Sequence, residues 1–463
     1  MLSLTSWCLL GCLWLQTPEP EMTLQHAIET ALQQNRDLQR AHLDLQNAQS
    51  RVLLAKDSFR WQFSSGVSYS KTDETDAGGV FSVDASKKLR TGTELDIATD
   101  IDLSEASEDR FDTDYSVTLT QPLLQRGGRA FHERDLRFAE RGLATSEDSL
   151  RRRAQNTVLA VVRAYFDVRF QEQTIIHTRK SLERLEKILD ATEIKLNIGR
   201  VSQVDLYRVR LSKNRTELNL NRNATDLEFQ YRRFSDLLGL STSARFQLAP
   251  VDLPMPEVVS VDPLPLLERR RVQITHRRLE RDYHQARLDL KLSKQATLPD
   301  LNLVGRYFVS DIQDVAAFDG ETDHGSTISL SNRYSFNQRR NRVNVRLAKN
   351  RLRQIELDLT DFQMQYEREV LDRLRSLAFL EKEVDLSEQN LLFSRQQLEV
   401  AEIRFERGII DSFDVIEAEE NVLNAANTVD RAKRDLILAW LSLKIFTNQL
   451  DPDSVNVDQL LAM

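Results

Sequence analysis

Three carboxylates fall close together near the C-terminal end of the chain, in the run Asp411-Ser412-Phe413-Asp414-Val415-Ile416-Glu417-Ala418. Asp414 and Glu417 are three apart, and residues at that spacing share one face of a helix. Repeated around a symmetry axis, such a face forms an acidic ring. Rings of this kind favour cations, and crowding of like charges raises some carboxyl pKa values. The same residues also suit a helix start, with Asp411 or Ser412 as the cap and acids in the first turn. Gly408, Ile409 and Ile410 stand directly before them. Far upstream, Gly199 is followed six residues later by Asp205, just as Gly408 is followed by Asp414. Asp205 reads either as a cap or first-turn acid or as a second member of the acidic site.

The two glycines mark a duplication. Their offset is 209 (408 − 199), and the same offset pairs Arg137 with Arg346, Leu143 with Leu352, Leu182 with Leu391 and Glu193 with Glu402 without a gap. A repeat of this length is a duplicated structural unit. No proline lies between Leu123 and Ala249, or between Asp300 and Asp451. Proline breaks helix interiors, so its absence permits very long helices. The segments over about 130–198 and 342–407 are each expected to form one helix or two nearly coaxial ones, about 100 Å long at 1.5 Å per residue. The stripe Leu182, Leu185, Ile188, Leu189, Ile194, Leu196 requires lateral packing against neighbouring helices. Shorter helices are expected over 24–56, 204–238, 266–296 and 413–446.

Between the helices the apolar period drops to two. Trp61, Phe63, Val67 and Tyr69 alternate with small polar residues, as do Tyr115, Val117 and Leu119, then Leu301, Leu303, Tyr307 and Val309, then Ile328 and Leu330. A soluble sandwich would show the same alternation. Two strands in each half leave unpaired edges, however, and strands with one apolar and one polar face suit a membrane barrel closed by several chains. Tyr69 matches Tyr307 at an offset of 238, so the first copy holds 29 extra residues (238 − 209) within the region 71–112. This insert also alternates, and reads as an added hairpin with its turn near Lys87 to Gly92, either widening the barrel or projecting beyond it.

The bulk composition narrows the class. The chain has 463 residues and a net charge of −8, which disfavours a nucleic-acid partner. No segment after residue 20 approaches the roughly 20 apolar residues of a spanning helix. Residues 1–20 read as a secretion signal, in which Leu9-Leu10-Gly11-Cys12 is similar to a lipobox that would make Cys12 a lipidation site. The domain expectation is a first repeat at 22–240, a Pro-rich linker at 241–265, a second repeat at 266–450 and a tail at 451–463. The seven histidines are scattered, and His276 and His284 lack partners at metal-ligand spacing. No phosphate-binding loop is present, so no catalytic, cofactor or metal site is expected, and the protein is not expected to be an enzyme.

The order helix, strand pair, long helices, Gly-loop-Asp, helix, given twice, resembles the TolC-like outer-membrane efflux channels over about residues 22–450. The segment from Leu24 to Asn35, the run Thr120-Gln121-Pro122-Leu123-Leu124 and the two Gly-loop-Asp turns carry the resemblance. It implies an α+β membrane protein: a homotrimer with a shared transmembrane β-barrel, commonly four strands per chain, continuous with a long periplasmic α-helical coiled-coil tunnel. It implies a passive exit channel that works with a periplasmic adaptor and an inner-membrane transporter, in contact with outer-membrane lipid. It also implies that the turns at Gly199 and Gly408 form the periplasmic entrance, narrowed by Asp414 and Glu417. The family commonly locks this entrance with a Tyr before the glycine and a basic residue after it. Phe405 and Ile410 stand there instead, with Arg404, Arg407 and Arg208 as nearby bases. Exposed at a tip, Ile409 and Ile410 are expected to dock the adaptor or to pack between protomers. The alternative reading is a secreted coiled-coil scaffold without a pore.

Overall fold

The computed structural model describes residues 21–72, 75–102, 110–241, 246–249, 262–314 and 319–451. Cys12 and the signal segment, most of the Pro-rich linker and the tail beyond residue 451 lie outside them. In chain order the elements are β1 (Glu21–Met22), α1 (Leu24–Gln34), α2 (Arg36–Asp57), β2 (Trp61–Thr72), β3 (Thr75–Lys88), β4 (Glu94–Asp102), β5 (Arg110–Pro122), α3 (Arg129–His132), α4 (Arg134–Asn197) and α5 (Gln203–Leu238). Then follow β6 (Gln247–Leu248), α6 (Pro263–Glu268), α7 (Ile274–Gln295), β7 (Asp300–Asp314), β8 (Asp319–Arg333), α8 (Arg339–Glu406) and α9 (Ser412–Phe446). The two proline-free tracts hold helices of 64 and 68 residues. None of the described helices is long and apolar enough to cross a membrane.

The chain divides into two compact units. Among the described residues, the first is built from 21–40, 151–241, 246–249, 262–269 and 367–451. Here α4, α5, α8 and α9 carry buried apolar side chains, and β1 pairs in parallel with β6. Tyr165 anchors this pair from α4. It is fully buried, its ring meets Phe234 edge-on at 6.1 Å, and its hydroxyl donates to the Ala249 carbonyl at 2.6 Å. Burial pushes the Tyr165 phenol up to about 12, so it remains a neutral donor.

The second unit comprises Ala41–Leu150 and Arg270–Tyr366. Its centre is one antiparallel six-stranded sheet in the order β2-β3-β4-β5-β7-β8. The first copy contributes four strands and the second copy two, because β3 and β4 lie between β2 and β5. Aromatic and aliphatic residues share one face: Phe63, Ala85, Ile97, Val117 and Tyr307 lie side by side in one row. Small and polar residues predominate on the other face, as in the run Ser64, Asp84, Ala98, Ser116, whose row continues to Phe308; Val80 and Val304 also lie on that face. In the same unit, Asp148 of α4 binds both Arg277 and Arg281 of α7.

Two helices are broken where apolar periodicity predicted continuity, and the segment from about 130, expected as one helix or two, is divided close to its start. The 24–56 helix stops at Asn35, which adopts ψ 124. The Asn35 amide donates to Leu237 O at 2.8 Å, and its side-chain oxygen caps α2 through Asp37 N and Leu38 N at 2.9 and 3.2 Å. The 266–296 helix divides at Gln273, whose side chain caps Thr275 N and His276 N at the start of α7. The helix beginning near 130 divides at Glu133, so that α3 precedes α4. Asn35→Ala removes a cap and the bond to the partly buried Leu237 carbonyl, at about 1 kcal/mol each, for a total loss of about 2 kcal/mol. Thermal unfolding followed by helical circular dichroism would show a lowered midpoint. An unchanged midpoint would remove Asn35 from this role.

Candidate functional site at the helix tips

The two Gly-loop-Asp turns are the same device built twice. Gly199 and Gly408 have φ of 71° and 72°, in the left-handed region that L side chains rarely adopt. Gly199 N donates to Leu196 O and Arg200 N to Lys195 O, at 2.9 and 2.8 Å. The second turn repeats this pattern, with Gly408 N to Phe405 O and Ile409 N to Arg404 O, both at 2.9 Å. These paired bonds satisfy the last carbonyls of each long helix. An added Cβ would meet nothing within 4 Å at either glycine, so backbone conformation alone selects the residue.

The helices that follow start differently. Ser202 and Asp205 form a reciprocal capping box on α5: Asp205 N donates to Ser202 Oγ at 3.3 Å, and Ser202 N donates to Asp205 Oδ2 at 3.0 Å. The Ser202 hydroxyl bonds to the same carboxylate at 2.7 Å, and Arg208 lies 3.6 Å from it. The Ser202 hydroxyl and backbone N–H, aided by Arg208, hold the Asp205 carboxyl below its ordinary range. On α9 the cap is Asp411, which accepts from Phe413 N and Asp414 N at 2.9 and 3.4 Å. Asp205 and Asp411 are therefore occupied at helix starts. Asp414 and Glu417 are exposed, whereas Val415, Ile416 and Ala418 between and beside them are buried. Glu420, also exposed, continues the acidic face one step further. Its spacing from Glu417 was visible in the sequence.

Behind this face lies an apolar cluster including Leu185, Ile188, Val209, Leu398, Phe405, Val415 and Ile416, with Ile410 packed on its edge. Ile409 is 67% exposed, so the two tip isoleucines part company. Phe405 also meets Lys195 of the other tip. The Lys195 ammonium sits 3.5 Å from the Phe405 ring centroid and donates to the Phe405 carbonyl. Burial, reinforced by Arg200, pushes the Lys195 ammonium down from its ordinary value. Arg208 approaches the exposed Phe413 ring at 5.9 Å. Of the three nearby arginines, Arg208 alone has a described contact with a tip aromatic; the contact to Phe405 comes from Lys195.

A second interaction below the tip was not foreseen. Glu419 is 1% exposed and takes a two-pronged bond from Arg184, at 2.6 and 2.8 Å. Glu402, beside this pair, is pushed above the ordinary carboxylate range first by burial and then by Glu419 and Glu406, against Arg184 and Lys187.

Helices reversed at paired tips, an acidic face and an alternating sheet are parts of a channel-forming protein. The outer membrane efflux protein family matches residues 27–240 and 266–449. The chain belongs to that family. Three solved channels share its fold at 16% identity. CusC has a TM-score of 0.67, with 93% of this chain and 92% of that chain covered. The Campylobacter jejuni CmeC outer-membrane channel has 0.67, with 94% and 88% covered. VceC from Vibrio cholerae has 0.65, with 92% and 95% covered. No curated protein sequence matches significantly. The protein is an outer-membrane exit channel rather than an enzyme. Channels of the family are homotrimers that work with adaptor proteins and inner-membrane transporters.

Two outcomes follow from the tip interior. Arg184→Met strands the buried Glu419 carboxylate and lowers stability by about 3–5 kcal/mol, more than Glu419→Gln does; equal melting shifts would contradict this. Glu402 has a raised folded pKa, so the folded state binds more protons than the unfolded state between the two values. Its stability cost is fully present above the folded pKa and disappears below the unfolded one. Glu402→Gln therefore stabilises the protein at neutral pH and loses that advantage in acid, as parallel melts at the two pH values would show.

Proposed function

We propose that three copies of this chain close their sheets into one outer-membrane barrel and their helices into one periplasmic tunnel, with the turns at Gly199 and Gly408 at the inner opening. The observation that carries this reading is the exposed acidic face of α9. Asp414 and Glu417 are free of the capping bonds that occupy Asp205 and Asp411, and their buried neighbours hold α9 in place behind them. Two such carboxylates from each chain make 2 × 3 = 6 around a threefold axis. Asp205 and Asp411 frame the opening by fixing the helix starts. Exposed Ile409 is the apolar docking point for the periplasmic adaptor, which connects the tunnel to an inner-membrane transporter, while Ile410 serves the chain's own packing. The apolar face of the sheet meets outer-membrane lipid. A leader cleaved before Cys12 would add a lipid anchor there.

The channel itself is passive. It supplies a path and a local negative potential, and the transporter supplies energy. Carboxylates at a narrow opening with low-dielectric walls concentrate cations. In planar bilayers, the Asp414→Asn, Glu417→Gln double variant is expected to show weakened cation preference and to lose block by multivalent cations added on the periplasmic side, while keeping trimer assembly. Unchanged selectivity and block in an assembled trimer would end the acidic-ring reading.

A further inference from the structure

The four barrel strands per chain that the sequence resemblance implies do not match the sheet. Six strands form it, and the additional pair, β3 and β4, is laced into its middle. We infer that the assembled barrel has 3 × 6 = 18 strands, and that the β3–β4 hairpin is an acidic wall segment giving a wide, cation-favouring exit; this rests on the trimeric reading above.

The hairpin is paired along both sides. β3 runs against β2 from Trp61↔Lys87 upward, and β4 runs against β5 from Glu94↔Thr120 to Asp102↔Asp112. Lifting it out of the wall would break both ladders, which is costly where no water can replace the backbone bonds. The sheet ends at β2 and β8, strands of 12 and 15 residues. Because all neighbours are antiparallel and the number is even, β2 and β8 run in opposite directions. The β8 of one copy can therefore pair antiparallel with the β2 of the next, and closing the ring this way leaves no edge.

The faces agree across the insertion. Trp61, Lys87, Leu95 and Leu119 lie abreast on the lipid-facing side, as do Val67, Phe81 and Ile101 higher up. The Lys87 ammonium turns over the Trp61 ring at 5.3 Å, the arrangement of a charged side chain and an indole at a lipid–water boundary. The lower turn is fastened to the base of the barrel. Thr93 donates to the Gln121 side chain at 2.5 Å, and Arg90 lies 3.7 Å from Glu133, a carboxylate also held by Arg129 and Arg137. Gly92 has φ of 94°, and a Cβ there would stand 2.0 Å from the His132 ring. This is the packing of a wall element against its support.

The opposite face of the hairpin carries Asp84, Glu94, Asp96, Asp100 and Asp102, with Lys88 as its basic residue. Barrel diameter grows roughly linearly with strand number, so 18 strands against 12 widen the lumen about 1.5-fold.

The test begins with the intact trimer in lipid nanodiscs, where electron microscopy counts strands directly. Eighteen is expected, and twelve with the hairpin outside would overturn the inference while leaving the exit channel standing. No membrane-inserted trimeric pore at all would instead overturn the channel reading. Single cysteines then report the facing of β4. Asp96→Cys and Asp100→Cys react with a membrane-impermeant maleimide, and Ile97→Cys and Ile101→Cys do not; equal labelling of both sets contradicts a wall strand. Deletion of residues 75–102 joins β2 to β5 with facing preserved, since Trp61 and Leu119 occupy the same row. This variant should exclude polymers about one third smaller in diameter from the outer mouth, with weaker cation preference, whereas an unchanged cut-off would place the hairpin outside the wall.

Discussion

A helix of more than sixty residues is useful only if the chain can turn back at its end without leaving carbonyls unpaired. The left-handed glycine turn solves this at both ends. Gly199 and Gly408 bring two backbone N–H groups onto the last helical carbonyls, and within four residues the next helix begins with its own cap. The rest of the tip depends on that economy of residues. It places Asp414 and Glu417 in the first turns of α9, brings Lys195 to Phe405, and leaves Ile410 against the apolar cluster.

Duplication gave two such turns, and they have diverged into different tasks. Asp205 is locked in a capping box, whereas its counterpart Asp414 is exposed while Asp411 caps. Glu193 makes a surface pair with Arg210 at 2.8 Å, whereas its counterpart Glu402 lies beside the buried Glu419 and its partner Arg184. The contact between Lys195 and Phe405 occupies the position where a polar lock would be expected. An aromatic ring without a hydroxyl can still hold a cation through its face.

Much of this was legible in the sequence. The offset of 209 revealed the duplication, the missing prolines revealed the long helices, and alternation revealed the strands. Other features were not legible, for physical reasons. The apolar period runs smoothly through Asn35, and the break rests on its cap of α2 together with a bond to the distant Leu237 carbonyl. Lys195 and Phe405 are 210 residues apart, and Arg184 and Glu419 are 235 apart, so no local pattern joins them. Alternation identified β3 and β4 as strands, but their place between β2 and β5 is decided by cross-strand pairing. Acids near a glycine turn fit both capping and pore lining, and only the hydrogen bonds separate Asp205 and Asp411 from Asp414 and Glu417.

In the proposed trimer, the outer-membrane channel narrows at an opening governed by carboxylates. Its most direct measurement is the reversal potential of the wild-type channel in a salt gradient, with and without multivalent cations on the periplasmic side. A cation preference that those ions suppress from that side is the predicted result. A preference for anions, or a cation preference indifferent to those ions, would contradict it.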